Sequence, residues 1–591
     1  MLTITKIGLS LAAVIVVAVV IIVPLAVIKP WDDGDDSVTT TMGPINPTEP
    51  ATTTTEEPEP YCRARQKAFE AILEEGGDYI SYEEIKDGVW PHRYDRFNVT
   101  GYYLNVTSTT YLTDQEVTNF VWWHRVIVYI PDQFDDSISD TMYLNNGGGN
   151  NRNSDGSNKS PENCRPGTAV NSYVRLAAYT GTVVADMRDN PNQAMIYYEE
   201  LARNKSRTED AIIAYSWRHF IEVNEDDFDW LLQIPMNKAI IKVFNAIQDF
   251  TKDNHGLNIE KYSISGYSKR GWTSWLAAAL DDRVIASLPV VFDLLKCSEN
   301  LHQHYQSLGG WSFAFSPYYN EDLTKHLDDQ LFQEMQCIID PWDWLYKYQE
   351  KNTPIFHTGT TGDEFFMPTD ALVYLDDFKQ QHESTWIRYL HNTEHTTGAH
   401  DLFQDDLYIA HRILYVNAAK NTWQEVIPKI TWNSEVNATH GKIHVTTDAL
   451  SRGYRPDQIS INVFAADTKT HNDTDPFGHN RDFRLARHNA RGILNPQLIW
   501  WDQARVKREA KIETIQEGQE WIVTMKDRTD GVGYRGFYAE LEFLIEDEEK
   551  FGRFVDGREK SAFTTGTPIV VMPVEMKNDD CSGLGCYGSL V

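Results

Sequence analysis

Ser265-Gly266-Tyr267-Ser268-Lys269-Arg270-Gly271 is the stretch on which the fold turns. Residues 262–265 read as a strand, and residues from 271 to about 280 as a helix. A serine on a tight strand-to-helix turn lifts its hydroxyl above the sheet. The helix N-terminus beneath it offers unpaired N–H groups and a positive dipole end. Gly266 permits the sharp bend, and the N–H of Lys269 can point into an oxyanion hole. The usual elbow is G-x-S-x-G; here the second glycine, Gly271, comes one place later and Arg270 occupies the small position. Taken alone, the same residues also read as a Gly-Ser turn capping a helix.

The surroundings favour the elbow. Residues 125–131, 141–145, 181–185, 285–292, 354–358 and 386–390 read as strands, and 236–250 as an amphipathic helix. Strands alternating with helices predict an α/β fold with a mostly parallel sheet covered on both faces. A serine nucleophile needs a base and a carboxylate that fixes the base's tautomer, and in α/β-hydrolases these follow in the order Ser, Asp/Glu, His. Asp363 stands after the strand 354–358 and His395 after the strand 386–390, where acid and base are expected. Glu364 is a rival acid; His391 and His400 are rival bases. The loop of Gly147, Gly148 and Gly149 follows an early strand and suits a second oxyanion donor, although it also reads as a flexible glycine-rich loop. Arg270 is a candidate for substrate binding, or for a local salt bridge.

From about residue 430 the pattern changes. Residues 442–446, 459–465, 521–525 and 536–544 look like strands without intervening helices. Phe537, Ala539, Leu541 and Phe543 alternate with Tyr538, Glu540 and Glu542, the period of a half-buried strand. An antiparallel β-sandwich is predicted here. Trp432, Trp500, Trp501 and Trp521 could stack on sugars, but aromatic residues in sandwiches are usually core. There is no G-x-G-x-x-G, P-loop, H-E-x-x-H or EF-hand loop, so neither cofactor nor metal is expected.

The N-terminal end speaks to location. Residues 7–28 are 22 uncharged residues, broken only by Gly8, Ser10 and Pro24, long enough to span about 30 Å of hydrocarbon. They read as an uncleaved signal-anchor, with a cleaved signal peptide as the alternative. Residues 31–60 hold eight Asp/Glu, no Lys or Arg, and runs of threonine and proline, the composition of an extended stalk. Sequons at Asn98, Asn105, Asn158, Asn204, Asn437 and Asn472 favour a lumenal or extracellular body. Six cysteines, Cys62, Cys164, Cys297, Cys337, Cys581 and Cys586, suit disulfides whose pairing is left open; Cys581 and Cys586 read as a local tail loop. With 54 Lys+Arg against 86 Asp+Glu, the net charge of −32 sets the chain against nucleic-acid phosphates and anionic lipid. The division expected is a short cytoplasmic end (1–6), an anchor (7–28), a stalk (29–60), a hydrolase-like domain (61–428), a sandwich (429–575) and a tail (576–591).

The motif 266–273, its continuation through Asp282-Arg283-Val284 and Pro289-Val290-Val291-Phe292-Asp293, and the runs 304–314, 362–366 and 392–395 together resemble the PhoPQ-activated pathogenicity-related family. That family also holds a proliferation repressor of social amoebae. The resemblance spans residues 61–573 and implies an α/β-hydrolase-like domain followed by a β-sandwich-like one. It leaves two functions in play. One is an extracellular serine hydrolase acting on an ester, peptide or glycan-borne bond. The other is a signalling protein that uses the scaffold without catalysis and meets a cell-surface receptor. The displaced glycine also looks like the G-C-S-R-x-G elbow of glucuronoyl esterases, so it need not abolish hydrolysis.

Overall fold

The computed structural model describes residues 60–94, 96–152, 159, 171–200, 205–397, 405–469, 480–488, 492–497, 499–528, 533–546 and 562–591. The expected anchor, nearly all of the stalk, His400, Cys164 and the sequons at Asn158, Asn204 and Asn472 lie outside them. Among the described residues no helix is long and apolar enough to cross a membrane.

Nine strands build the N-terminal half of the described body: β1 (Ser81–Tyr94), β2 (Phe97–Thr110), β3 (Val121–Pro131), β4 (Thr141–Asn146), β5 (Val183–Met187), β6 (Lys261–Tyr267), β7 (Val284–Val290), β8 (Ile355–Thr360) and β9 (Thr385–Leu390). They lie in the order β1-β2-β3-β5-β4-β6-β7-β8-β9. From β5 to β9 all neighbours are parallel, while β1, β2 and β3 run antiparallel at one edge. Counted from β2, the sequence is first, second, fourth, third, fifth, sixth, seventh, eighth, the order of an α/β-hydrolase sheet. The chain reverses its direction of travel across the sheet at β4, so a crevice opens beyond the carboxyl ends of β4 and β6.

Alternating side chains feed two cores, one on each face. Met142, Leu144, Val183, Ala185 and Ile264 face the helices Gln233–His255 and Lys269–Leu280. Tyr143, Val184, Ala286 and Leu288 face the helices Asn171–Thr180 and Asp405–Ala419. Both faces being covered, the central strands are buried along their whole length, as the burial of every residue of β4, β5, β8 and β9 shows.

Ten strands follow: β10 (Ile430–Val436), β11 (His440–Thr447), β12 (Ile459–Asp467), β13 (Ala486–His488), β14 (Leu494–Pro496), β15 (Ala510–Gln516), β16 (Glu520–Lys526), β17 (Arg535–Leu544), β18 (Ala562–Gly566) and β19 (Val570–Met572). A C-terminal sheet is thus present, but it does not stand apart as expected. β18, β17 and β12 continue the main sheet beyond β9, making 13 strands with β19 paired to β17. The join is Gly566 opposite Ile387, reinforced by the Thr565 hydroxyl donating to the Ile387 carbonyl at 2.9 Å. The physical reason is the edge: β9 would otherwise present unpaired backbone groups. The second layer is the four-stranded antiparallel sheet β10-β11-β16-β15. Its Ile443, Val445, Val523 and Met525 share a core with Phe537, Ala539 and Leu541 of the first layer.

Cys62 is bonded to Cys337, and Cys581 to Cys586, while the buried Cys297 has no disulfide partner among the described residues. The last residues are built into the body: the Trp311 N–H donates to Ser589 O at 2.8 Å and the Val591 N–H to Trp311 O at 2.7 Å.

Candidate active site

The elbow forms between β6 and the helix Lys269–Leu280, with Ser268 at φ 59° and ψ −127°. A non-glycine residue in that region is strained and persists only when its surroundings hold it. Two glycines do so. A β-carbon at Gly266 would lie 2.5 Å from the Arg270 carbonyl oxygen, and one at Gly271 would lie 2.8 Å from the Val290 carbonyl oxygen. The displaced second glycine therefore has a packing role of its own: it lets the first helical turn sit directly on β7.

The loops after β8 and β9 bring the other two groups to the serine. His395 Nε2 lies 2.8 Å from Ser268 Oγ, and His395 Nδ1 lies 3.0 Å from both carboxylate oxygens of Asp363. A carboxylate only accepts, so Nδ1 carries the proton and Nε2 is left to accept from the serine hydroxyl. Asp363 is buried and fixed by the backbone N–H groups of Phe365 at 2.7 Å and Phe366 at 3.0 Å, which donate to its Oδ1. The imidazole packs against the rings of Phe365 and Phe366. Burial pushes the His395 pKa down, but the charge of Asp363 and its hydrogen bond prevail and raise it above the ordinary value.

The rivals stand elsewhere. Glu364 accepts from the His395 backbone N–H at 3.1 Å, and its own pKa is raised by burial and by the nearby Asp363 charge. His391 stacks on Phe464.

Of the oxyanion candidates, Lys269 opens its helix, so its N–H has no carbonyl a turn back within that helix to bond. The Gly147 N–H is already donated to Met187 O at 2.8 Å, which removes it as a donor. Gly149 has its carbonyl accepting from Gln193 Nε2 at 2.5 Å and does not line the cleft. Gly148 lines the cleft, and a β-carbon there would lie 2.7 Å from the Arg270 guanidinium carbon.

Arg270 lines the cleft and is paired within this chain. Its Nη1 and Nη2 donate to the two Glu209 oxygens at 2.6 and 2.9 Å, and its Nε donates to Asn190 O at 2.5 Å. Lys269 Nζ pairs with Glu209 at 2.8 Å and Asp210 at 3.0 Å. Burial disfavours the Glu209 carboxylate, yet the Arg270 and Lys269 cations outweigh it and hold the group well below the usual range. Both cations are thus committed to carboxylates of this chain, which is the local salt-bridge alternative. Sequence reasoning missed Glu209 and Asp210, because their partners lie some 60 residues away. It also missed Asn392, whose amide exchanges two hydrogen bonds with the Trp501 backbone at 2.9 and 2.7 Å and so ties the His395 loop to the C-terminal strands.

The tryptophans named as sugar platforms are mostly committed. Trp501 and Trp521 are core, and Trp432 Nε1 donates to Asp376 at 2.7 Å under Lys379, whereas Trp500 is 63% exposed. Of the described sequons, Asn98 is exposed on β2 with its amide on Asp132, Asn105 is half-buried, and Asn437 lies in the β10–β11 turn.

A sheet of this order, with a strained serine, a histidine and an aspartate hydrogen-bonded across its carboxyl edge, defines the α/β-hydrolase class. The chain belongs to the PhoPQ-activated pathogenicity-related protein family, whose profile matches residues 91–484. It is 27% identical over 497 residues to the Autocrine proliferation repressor protein A of Dictyostelium discoideum, covering 83% of this chain and 88% of that protein. Solved structures similar to it include Acetyl Xylan Esterase 1 from Thermoanaerobacterium sp., with 13% identity, 56% of this chain and 88% of that one covered, and a TM-score of 0.34. Another is the Pyrococcus horikoshii acylaminoacyl peptidase, with 11% identity, 53% and 46% covered, and a TM-score of 0.29.

Proposed function

We propose that the protein is a serine hydrolase acting on an ester or amide bond. The observation that carries this reading is the unbroken chain from Ser268 Oγ to His395 Nε2 at 2.8 Å and from His395 Nδ1 to Asp363 at 3.0 Å. Ser268 Oγ attacks the carbonyl carbon while its proton passes to His395 Nε2. Asp363 stabilises the imidazolium that forms. The N–H groups of Lys269 and Gly148 take the oxyanion. His395 then gives its proton to the leaving oxygen or nitrogen as that bond breaks, and a water molecule, deprotonated by the same imidazole, releases the acyl group from Ser268.

Labelling by a fluorophosphonate tests this. The purified wild type should be labelled, and Ser268→Ala, with an unchanged thermal transition, should not. An unlabelled, well-folded wild type overturns the reading.

A second reading rests on the likeness to a proliferation repressor. In it the body signals from the cell surface, through a receptor, without turnover. A proliferation assay separates the two: an effect that survives Ser268→Ala belongs to signalling, and one lost with the hydroxyl belongs to catalysis.

In either case the body is extracellular or lumenal, held by residues 7–28 or secreted after their removal. The apolar run, the stalk composition and the sequons support this. Two disulfides add to it. Protease protection of the body in sealed vesicles checks the orientation.

A further inference from the structure

Ser268 stands in a doorway between two chambers of different size and lining. One is a cleft of mixed lining, where Asn145, Asn146, Arg188 and Thr396 stand beside Tyr173 and Tyr267, together with Gly148 and His395. The other is walled by Trp217, Trp272, Phe292, Leu301, Leu327 and Phe332. Ser268, Lys269, Asp210 and Phe365 belong to both. The sizes differ as much as the chemistry. The cleft has a cavity volume of about 500 Å³ and the apolar chamber about 30 Å³. The chamber is far smaller than the cleft and takes a group of a few non-hydrogen atoms, not a long chain.

The position of His395 decides which half of a substrate enters which chamber. The imidazole must reach the leaving atom to protonate it, and His395 borders only the polar cleft. The oxyanion donor Gly148 also borders only that cleft. The leaving group therefore lies in the larger cleft, which offers it the polar groups of Asn145, Asn146 and Arg188, and the acyl substituent points the other way, into the small apolar chamber.

The chamber's charged wall groups are already matched to each other. The Asp210 carboxylate accepts from Lys269 at 3.0 Å and from the Tyr318 hydroxyl at 3.1 Å. The Trp217 indole N–H is the chamber's one side-chain donor without an acceptor among the described residues. A single neutral N–H cannot compensate a buried charge. Rigid rings also limit widening: Trp272 stacks on Phe292 at 4.6 Å, and its indole N–H is fixed on Ile339 O at 2.6 Å.

Resting on the hydrolase reading above, we propose that the substrate carries a short, uncharged acyl group of about two to four carbons, joined to a larger polar alcohol or amine. The apolar chamber is the acyl site and sets the length limit. Acyl transfer forms the Ser268 Oγ–acyl bond as the ester or amide bond breaks, with the proton moving from Ser268 through His395 to the leaving atom; no other reactant than water is needed.

The test is hydrolysis of p-nitrophenyl acetate, butanoate and octanoate by the full chain, alongside fluorophosphonate labelling of Ser268. We expect kcat/KM for acetate and butanoate to exceed that for octanoate by about 100-fold, the discrimination a closed pocket can exert. Leu327→Ala should raise the octanoate rate relative to acetate. Should that variant misfold, the wild-type profile still decides. Octanoate turned over as fast as acetate, with Ser268 labelled, overturns the acyl-site assignment and leaves the hydrolase reading intact. Absence of both turnover and labelling overturns both.

Discussion

Gly148 and Arg270 touch: the guanidinium of Arg270 lies where a side chain at Gly148 would begin, 2.7 Å from that β-carbon position. Glu209 grips the same guanidinium from the other side at 2.6 and 2.9 Å. On the hydrolase reading, the residue two places after Ser268 thus supports the loop proposed to supply an oxyanion donor. This accounts for an arginine where elbows usually carry a small residue.

Arg270→Lys keeps the charge but loses the planar fork and the contact with the Asn190 carbonyl. It should lower kcat by about 10²-fold, the scale of a lost oxyanion donor, with little change in KM. Steady-state kinetics on a small ester reads this directly. A KM effect alone would instead place Arg270 on the substrate.

Alanine at Gly266 or Gly271 drives a β-carbon into backbone carbonyls at 2.5 and 2.8 Å. Neither carbonyl can swing aside as a side chain would. Each variant should lose about 1–3 kcal/mol of stability, read from denaturant midpoints, and lose Ser268 labelling as the turn shifts.

The base must be neutral to accept the serine proton, and Asp363 raises the His395 pKa above its ordinary value. Activity should therefore fall with acidification through an apparent pKa above about 6.5. Asp363→Asn removes the raising charge and leaves burial to act in the opposite direction. The acid limb should move to lower pH and kcat should drop by roughly 10⁴-fold. A pH–rate profile of both proteins checks limb and height together.

Behind the site sits Asp293, buried and bonded by the Tyr374 hydroxyl, close to His357. Burial pushes its carboxyl up to about 7, with the charge of Asp363 adding to the rise. The folded protein therefore holds a proton that the unfolded chain has lost between about pH 4 and 7, so this group makes stability fall as pH rises across that window. Asp293→Asn removes that decline. Between pH 5 and 8 the variant should lose about 1–3 kcal/mol less than wild type in urea titrations, with other raised buried carboxyls such as Asp340, Asp343 and Asp370 contributing to the slope that remains.

The Trp311 ring lines the apolar chamber, and its backbone is gripped by Ser589 and Val591. Removing residues 588–591 should relax the acyl-length preference while Ser268 labelling persists, as the ester series would show.

Several parts of this arrangement could be read directly in the amino-acid order. Ser268, Asp363 and His395 each follow a recognisable apolar strand, and the chain order of the three is the one a hydrolase sheet imposes. The strands around them also fall where periodicity put them. Long-range pairing was not readable. Thr565 reaches Ile387 across 178 residues and Asn392 reaches Trp501 across 109, and no local pattern encodes such partners. For the same reason the C-terminal strands read as a separate sandwich, although β18 completes the edge of β9. Arg270 looked available to a substrate because the charge that claims it sits on Glu209, in a turn with no periodicity of its own.

A sheet that runs twelve strands across, from β1 to β12, ties the two halves of the body into one layer. The half that carries Ser268 and the C-terminal half share hydrogen bonds through β9 and β18, so calorimetry should record a single cooperative melt rather than two. Expressing residues up to 428 alone would strip β9 of its neighbour and offer a sticky ribbon to other molecules. The C-terminal half is in this sense a built-in guard against self-association of the half that carries the serine.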